Sequence, residues 1–476
     1  MNKALENINP KNIFIALVIT FAVFYSAQVS FFTSRADVLT FSSRSAAEKP
    51  VLDYAFLNEK TLLDEPALPN YHLGHTVILW LVYQLMPFDL EKSVFPAGLV
   101  SAISGGFIIG LTFLIWLELG LSKRKALIIS LVTGLVPSIW FHNTFGEVYA
   151  LQLLFILLFA YMFLKGRIFL SALAFLFANL VSPVSALAFS FVFLAGWDKK
   201  TLRNAFITGL IALVIYVLVY TAIGSNLLNL LNPLGTEIEG RSVFYRIGVL
   251  IFFIVLNFNF FLIYLIKGIK LARENNTVIF TRLLLAIIPQ LILLFLGSTF
   301  FIELGSFQIP LFWGLAFFTG FAISELTTNV RKVALPLIGS VLITIFFWHV
   351  PDRLAAIDRH NAGQWLKGKG INTKIIGDWN TSVGVILSKD DMDLNFLTNN
   401  YYDCPCPTEK DIRMTNEDSL IIIACKKNIL RQKLAELPVQ GLKIEPYNPS
   451  EVISTGKTEK IYENNSLVMY YWTKTQ

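Results

Sequence analysis

Between Ile13 and Val350 the chain returns again and again to apolar runs long enough, or nearly long enough, to cross a lipid bilayer. A hydrocarbon core about 30 Å thick takes roughly 20 apolar residues of α-helix. Inside it every backbone N–H and C=O must be satisfied within the segment, so such runs are read as helices. They occupy residues 13–32, 95–120, 126–141, 148–164, 168–181, 184–195, 205–224, 247–266, 283–300, 309–323 and 333–350. This pattern predicts a polytopic α-helical membrane protein with about eleven transmembrane helices. Composition agrees: 55% of residues are hydrophobic and only 15% charged, against about 25% charged in soluble domains. The 41 Phe outnumber the 39 Lys and Arg together, as expected of a chain whose solvent is largely lipid.

Ser182-Pro183 splits one apolar stretch, because Pro disfavours a helical residue before it and clashes inside a helix. Loop charges decide between two short spans and one kinked span. With two spans, alternate loops collect Lys3, Lys11, Lys123-Arg124-Lys125, Lys165, Arg167, Lys199-Lys200, Arg203, Lys267, Lys270, Arg273, Arg282, Arg331 and Lys332. The remaining loops carry most of the acids, from Asp37 to Glu303. The positive-inside rule then assigns a cytoplasmic N-terminus and an extracytoplasmic C-terminus, in a cell inner or plasma membrane. The first run reads as a retained helix, since no small-x-small cleavage site ends it.

Two regions depart from a simple serpentine. The first outer loop is long, residues 33–93, and contains a short apolar segment, residues 72–86, read as an interfacial helix lying along the membrane. After residue 351 the pattern changes. Residues 352–476 alternate in short β-rich runs at residues 374–377, 384–387, 420–424, 442–444 and 467–472, with a helix expected over 428–437. A small α/β domain on the outer side is predicted, following a transmembrane module over residues 1–351. All three cysteines, Cys404, Cys406 and Cys425, fall in it, as a disulfide or as free thiols.

Ionisable residues at the outer interface are where chemistry is sought. Asp37 and Asp53 follow the first helix, although solvation alone accounts for acids in an outer loop. Pro66 to His75 enters the interfacial helix; Asn70 is placed to cap it, and His72 and His75 share one face. Trp140 to Ala150 forms a short outer turn with Glu147 at the start of the next helix, where the helix dipole by itself favours a carboxylate. Arg241 and Arg246, with Arg353, Arg359 and His360 beyond the last run, are cations suited to a phosphate or to lipid head groups.

Taken together these segments resemble the GT-C class of integral-membrane glycosyltransferases, near its protein O-mannosyltransferase-like branch. In that branch an Asp motif follows helix one, then a Pro-rich segment, then a Glu-Val-Tyr motif opening the fourth helix. The counterparts are Asp37-Val38-Leu39-Thr40-Phe41 or Asp53-Tyr54-Ala55-Phe56, then Leu68-Pro69-Asn70-Tyr71-His72, then Gly146-Glu147-Val148-Tyr149. The Pro segment lacks the family's His-Pro pair and carries Asn70 where the family has Gly. The motifs cover about the first third of the chain; beyond them the likeness is architectural.

The resemblance implies an inverting transferase that moves a hexose or pentose from a polyprenyl-phosphate donor to an acceptor hydroxyl on protein, lipid or glycan at the outer face. Asp37 or Asp53 would be the general base. Arg241, Arg246, Arg353, His72 and His142 would bind the donor phosphate. Asn70, Tyr71, Asn143 and Tyr149 would position the acceptor, and Glu147 would orient acceptor, base or a divalent metal. No cofactor is otherwise implied, nor is nucleic acid a partner. A transporter or lipid flippase is the rival from another class, but no convincing internal repeat is present. A lipid-linked polysaccharide polymerase or ligase would share the outer loop without needing the Glu147 turn.

Overall fold

The computed structural model describes residues 2–30, 72–85, 95–222, 243–292, 308–326, 331–371, 373–377, 418–425 and 456–474. The chain divides into two units: Met1–Val29, Leu68–Leu81 and Pro96–Trp348 in one, Ser30–Ala67, Val82–Phe95 and His349–Gln476 in the other.

The first unit is helical. It runs through α1 (Asn2–Asn7), α2 (Pro10–Ser26), most of α3 (Leu73–Leu85), α4 (Phe95–Glu118), α5 (Lys123–Gly134), α6 (Pro137–Asn143), α7 (Val148–Leu164) and α8 (Ile168–Val181). A 3-10 helix (Pro183–Ala195) follows, then α9 (Lys199–Ala222), α10 (Val243–Phe258), α11 (Leu262–Asn275), α12 (Thr277–Ile287), α13 (Ile309–Leu326) and α14 (Arg331–Ile343). Local chemistry sets several starts. Asn9 accepts from Lys11 N at 2.9 Å with Pro10 in the first turn of α2. Asp198 accepts from Lys200 N at 2.9 Å and Thr201 N at 3.1 Å. The Thr201 hydroxyl and those N–H groups hold the Asp198 carboxyl below the usual carboxylate range.

Among the described residues four helical runs are long and apolar enough to cross a membrane: Phe95–Glu118, Lys199–Ala222, Leu250–Asn275 and Val333–Gly368. Helices α5 and α6 qualify only as a pair, bent by 69°. Shorter apolar helices include Pro10–Ser26, Val148–Leu164, Ile168–Val181, Pro183–Ala195 and Ile309–Glu325. The chain is a multi-pass membrane protein.

The run at 126–141, expected as one span, is therefore two helices. Pro137 has no N–H to give and excludes helix at Val136, so α5 stops and α6 restarts with Pro in its first turn. The Tyr25 hydroxyl donates to the Gly134 carbonyl at 2.7 Å, closing a backbone group released by the break. The expected break at Ser182-Pro183 is present: α8 ends at Val181 and a 3-10 helix begins. At about 2.0 Å of rise per residue such a helix reaches further than an α-helix of the same length. The run at 283–300 is described only to Ile292.

Aromatic packing fills the interior. Phe159 lies 4.9 Å from Phe175, and Phe189 lies 5.1 Å from Phe175, binding α7, α8 and the 3-10 helix. Trp116 stacks on Trp313 at 5.2 Å, and Trp313 Nε1 donates to Thr112 Oγ1 at 2.9 Å, tying α4 to α13. At the end predicted to be cytoplasmic, Lys125 pairs with Glu325 and Lys165 with Glu118 at 2.5 Å. The Glu118 carboxylate pushes the Lys165 ammonium pKa up.

The second unit contains α15 (Val350–Gly368) and a four-stranded sheet ordered β1-β2-β4-β3, from β1 (Ile375–Gly377), β2 (Ser419–Cys425), β3 (Gly456–Glu463) and β4 (Leu467–Lys474). β1 is parallel to β2; the other pairs are antiparallel. Ile376, Leu420, Ile422 and Trp472 form its core. Trp365 of α15 packs 5.2 Å from Tyr462, and Asn464 Nδ2 donates to the Asp358 carbonyl at 2.8 Å, so the helix rests on the β3–β4 hairpin. Cys425 ends β2; Cys404, Cys406, the runs at 384–387 and 442–444 and the helix at 428–437 lie outside the described residues.

Candidate functional site

The turn between α6 and α7 gathers one cluster of the buried polar groups of the first unit. Its anchors come from three neighbouring helices. Asn257 of α10 accepts from Ser138 N at 2.7 Å, taking up an orphan donor of the first turn of α6, and donates from its own Nδ2 to the Phe253 carbonyl at 2.8 Å. Trp140 Nε1 donates to Gln28 Oε1 at 2.9 Å, and Gln28 Nε2 donates to the Phe24 carbonyl at 2.8 Å, fixing α6 to the end of α2. Ser101 of α4 donates to the Glu147 carbonyl at 3.3 Å. Gly105 of α4 admits both Asn143 and Tyr25: a Cβ there would meet Asn143 Cγ at 2.6 Å and Tyr25 Cδ2 at 2.7 Å.

Inside that frame His142, Asn143 and Glu147 are buried, at 1%, 1% and 2% exposure, and Tyr149 is buried beside them. Glu147 occupies the cap position of α7 with extended backbone, yet its side chain makes no capping hydrogen bond. The carboxylate turns elsewhere: Oε2 lies 3.7 Å from His142 Nδ1. That is electrostatic contact rather than a direct hydrogen bond. The Tyr149 ring meets the His142 imidazole edge-on, with centroids 5.1 Å apart, and fixes its plane. Helix capping alone therefore does not explain Glu147. A carboxylate held this far from water is costly unless it is paired, and an imidazole is the group set against it.

His72 reaches the end of another helix. Its Nδ1 lies 2.7 Å from the Val181 carbonyl at the end of α8, an orphan acceptor where Pro183 stops the helix. Gly74 lets α3 approach that end, since a Cβ would meet the Leu180 carbonyl carbon and Val181 N at 3.1 Å. His72 thus serves the joint between α3 and α8. His75, one turn on, is buried; desolvation, helped by the nearby His72, lowers its pKa to about 3.

Of the remaining predicted residues, Arg353 is exposed on α15 and belongs to the second unit. Asp37, Asp53, Asn70, Tyr71 and Arg241 lie outside the described residues, as does the side chain of Arg246. The structure thus brings together His142, Asn143, Glu147 and Tyr149. It adds Tyr25, Gln28, Ser101 and Asn257, which the sequence does not single out. Their signal was faint: polar residues, spaced too far apart to form a motif, inside otherwise apolar helices. Among the described residues no group of three His, Cys, Asp or Glu side chains is arranged to hold a metal ion.

No protein-family model matches the chain, and neither does any curated protein sequence. Solved structures do. ArnT from Cupriavidus metallidurans bound to undecaprenyl phosphate aligns over 96% of this chain and 97% of its own, with a TM-score of 0.57 and 12% identity. The same protein in the apo state aligns over 97% and 98%, at TM-score 0.59 and 11% identity. The apo oligosaccharyltransferase of Archaeoglobus fulgidus aligns over 86% of this chain and 69% of its own, at TM-score 0.53 and 11% identity. These neighbours are GT-C glycosyltransferases, and the chain shares their fold.

Proposed function

We propose that this protein is an inverting glycosyltransferase that moves a sugar from a polyprenyl-phosphate donor to an acceptor hydroxyl at the outer face of the membrane. The observation that carries the reading is Glu147: a carboxylate at 2% exposure, opening a helix it does not cap and set against His142 instead. The shared fold supports the donor class, since ArnT was crystallised with undecaprenyl phosphate. The branch nearest protein O-mannosyltransferases is the finer reading, carried by the Gly146-Glu147-Val148-Tyr149 motif. The accompanying topology has about eleven crossings, a cytoplasmic N-terminus, a transmembrane module over 1–351 and an extracytoplasmic domain over 352–476.

In this mechanism Asp37 or Asp53 removes the acceptor's hydroxyl proton as the oxygen attacks the anomeric carbon. The bond to the donor phosphate breaks with inversion at that carbon, and the phosphate leaves as an anion. Arg241, Arg246 and His142 offset its charge. Glu147 fixes the orientation of His142, and Tyr149 blocks rotation of the imidazole. Asn143, with Asn70 and Tyr71, positions the acceptor.

The test is sugar transfer in vesicles from radiolabelled polyprenyl-phosphate sugars, comparing wild type with Asp37→Asn, Asp53→Asn and Glu147→Gln. Loss of general-base catalysis removes about 10²–10⁴ in rate, so one Asp variant is expected to fall by that factor while still binding donor. Glu147→Gln is expected to transfer more slowly. Undiminished transfer with all three residues replaced overturns the assignment. Substrate-dependent flux across the vesicle wall without transfer moves the protein to the transporters.

A further inference from the structure

Several buried hydroxyls in the first unit close on a carbonyl one turn back, as Thr112 does on Ile108, Ser130 on Ala126, Thr133 on Ile129 and Thr344 on Ser340. A bundle in lipid has no water to do this for it. Two buried carboxamides are left open. Gln308 is 1% exposed, with neither Oε1 nor Nε2 partnered among the described residues. Gln290, at 2%, has an Nε2 without a partner among the described residues. Buried polar groups left open in a native structure call for an explanation.

The packing puts these groups toward one end. Phe280 faces Phe318 at 5.9 Å, and the Ile287 side chain fills the space over Gly314, so α12 and α13 run antiparallel. Carrying that register forward sets Gln290, in the 3-10 turn after α12, opposite Leu311. Gln308, just before α13, is then about 5 Å further along the axis. Lys125 with Glu325 and Ile129 against Gly320 make α13 antiparallel to α5 as well. The start of α13 therefore lies toward the end where α5 gives way to α6, and α13 packs on α6, which leads into the candidate site.

The chemistry of the two groups selects a ligand. A carboxamide offers a donor and an acceptor and no charge. A phosphate calls for cations, an ammonium for a carboxylate, and a lipid tail for no polar group at all. A hydroxyl, itself donor and acceptor, matches a carboxamide on both sides. We infer that Gln308, with Gln290, lines a neutral hydrogen-bonding subsite that recognises the hydroxyls of an uncharged donor sugar. This rests on the transferase reading above and narrows its substrate to sugars without amino or acidic substituents.

The test compares wild type, Gln308→Leu and Gln290→Leu with four probes: undecaprenyl phosphate alone and its neutral-hexose, deoxyhexose and aminosugar esters. Transfer is read as KM and kcat, and binding of the bare lipid phosphate separately. Wild type is expected to prefer the neutral hexose. Each Leu variant is expected to raise its KM about tenfold, the equivalent of about 1.4 kcal/mol, without weakening binding of the bare lipid phosphate. The deoxy ester missing the contacted hydroxyl should lose the same factor in wild type and nothing further in the variant. Both variants should melt at or above the wild-type temperature, because Leu leaves no polar atom open there. Equal KM in all three proteins, a parallel loss of bare-lipid binding, or a wild-type preference for the aminosugar overturns the subsite and leaves the transferase reading standing. A wild type that transfers from none of the esters overturns that reading, and the subsite with it.

Discussion

At the scale of single residues, the polar side chains of the first unit divide by what they satisfy. His72, Asn257 and the Tyr25 hydroxyl close backbone groups that proline or a helix end had released. Glu147 and His142 face each other. His75 is an ionisable group buried without charge, and its behaviour with pH can be worked out. Its folded pKa, about 3, lies below its ordinary 6.5. Between those values the unfolded chain binds more protons than the folded one, so stability falls as pH falls through that window. Burial is the larger cause, so removing the imidazole removes the effect. In detergent, wild type should lose resistance to denaturant steadily from about pH 6.5 toward pH 3. His75→Leu should lose less over the same window, and parallel curves for the two proteins would refute a neutral buried His75. Gln308 differs from His75 in kind: its polar atoms do not titrate, so its cost to the free protein is the same at every pH.

At the scale of elements, helices approach one another most closely where glycine faces backbone. A Cβ on Gly268 of α11 would overlap the Phe318 carbonyl of α13, which is main chain and cannot rotate aside. Gly248 of α10 faces open space. Gly268→Ala should therefore destabilise the fold by about 1–3 kcal/mol through overpacking, whereas Gly248→Ala should be neutral or stabilise by up to about 1 kcal/mol. Thermal melts of the two variants beside wild type check the contrast; equal melting would mean that α11 and α13 do not meet this closely. Elements of this kind were legible in the sequence wherever apolarity was continuous and punctuation sharp. The run at 148–164 became α7 to the residue, and Ser182-Pro183 broke the chain where proline chemistry requires. Strand β3 was not foreseen, because Gly456–Glu463 is a polar edge strand with little apolar alternation to announce it. The bend at Pro137 was hidden inside a run whose hydropathy does not change across it. Glu147, His142, Asn143 and Tyr149 could be read as a site because they share one turn. Gln290 and Gln308 could not, since only the packing of α12 on α13 brings them together.

At the scale of the whole molecule, the number of times the chain crosses the bilayer turns on the 3-10 helix. Helix α8, with 14 residues, spans about 21 Å, while the 13 residues of Pro183–Ala195 reach about 26 Å because the 3-10 rise is larger. Each falls short of the roughly 30 Å hydrocarbon core by an amount that local thinning and snorkelling ends accommodate at modest cost. The basic groups flanking them, Lys165 and Arg167 before α8 and Lys199, Lys200 and Arg203 after the 3-10 helix, are what the positive-inside rule requires if both segments cross. Arg167 and Lys199 should then lie on the same, cytoplasmic side. In a chain whose three native cysteines are replaced by serine, Arg167→Cys and Lys199→Cys should both resist a membrane-impermeant maleimide in intact cells and react once the cells are opened. Glu237→Cys, in a loop of the opposite set, should react without opening. Labelling of Lys199→Cys but not Arg167→Cys in intact cells would make 168–195 a single crossing. It would also invert every later loop, and the outer loop that holds Arg241 would move to the cytoplasmic face, away from the donor phosphate it is proposed to bind.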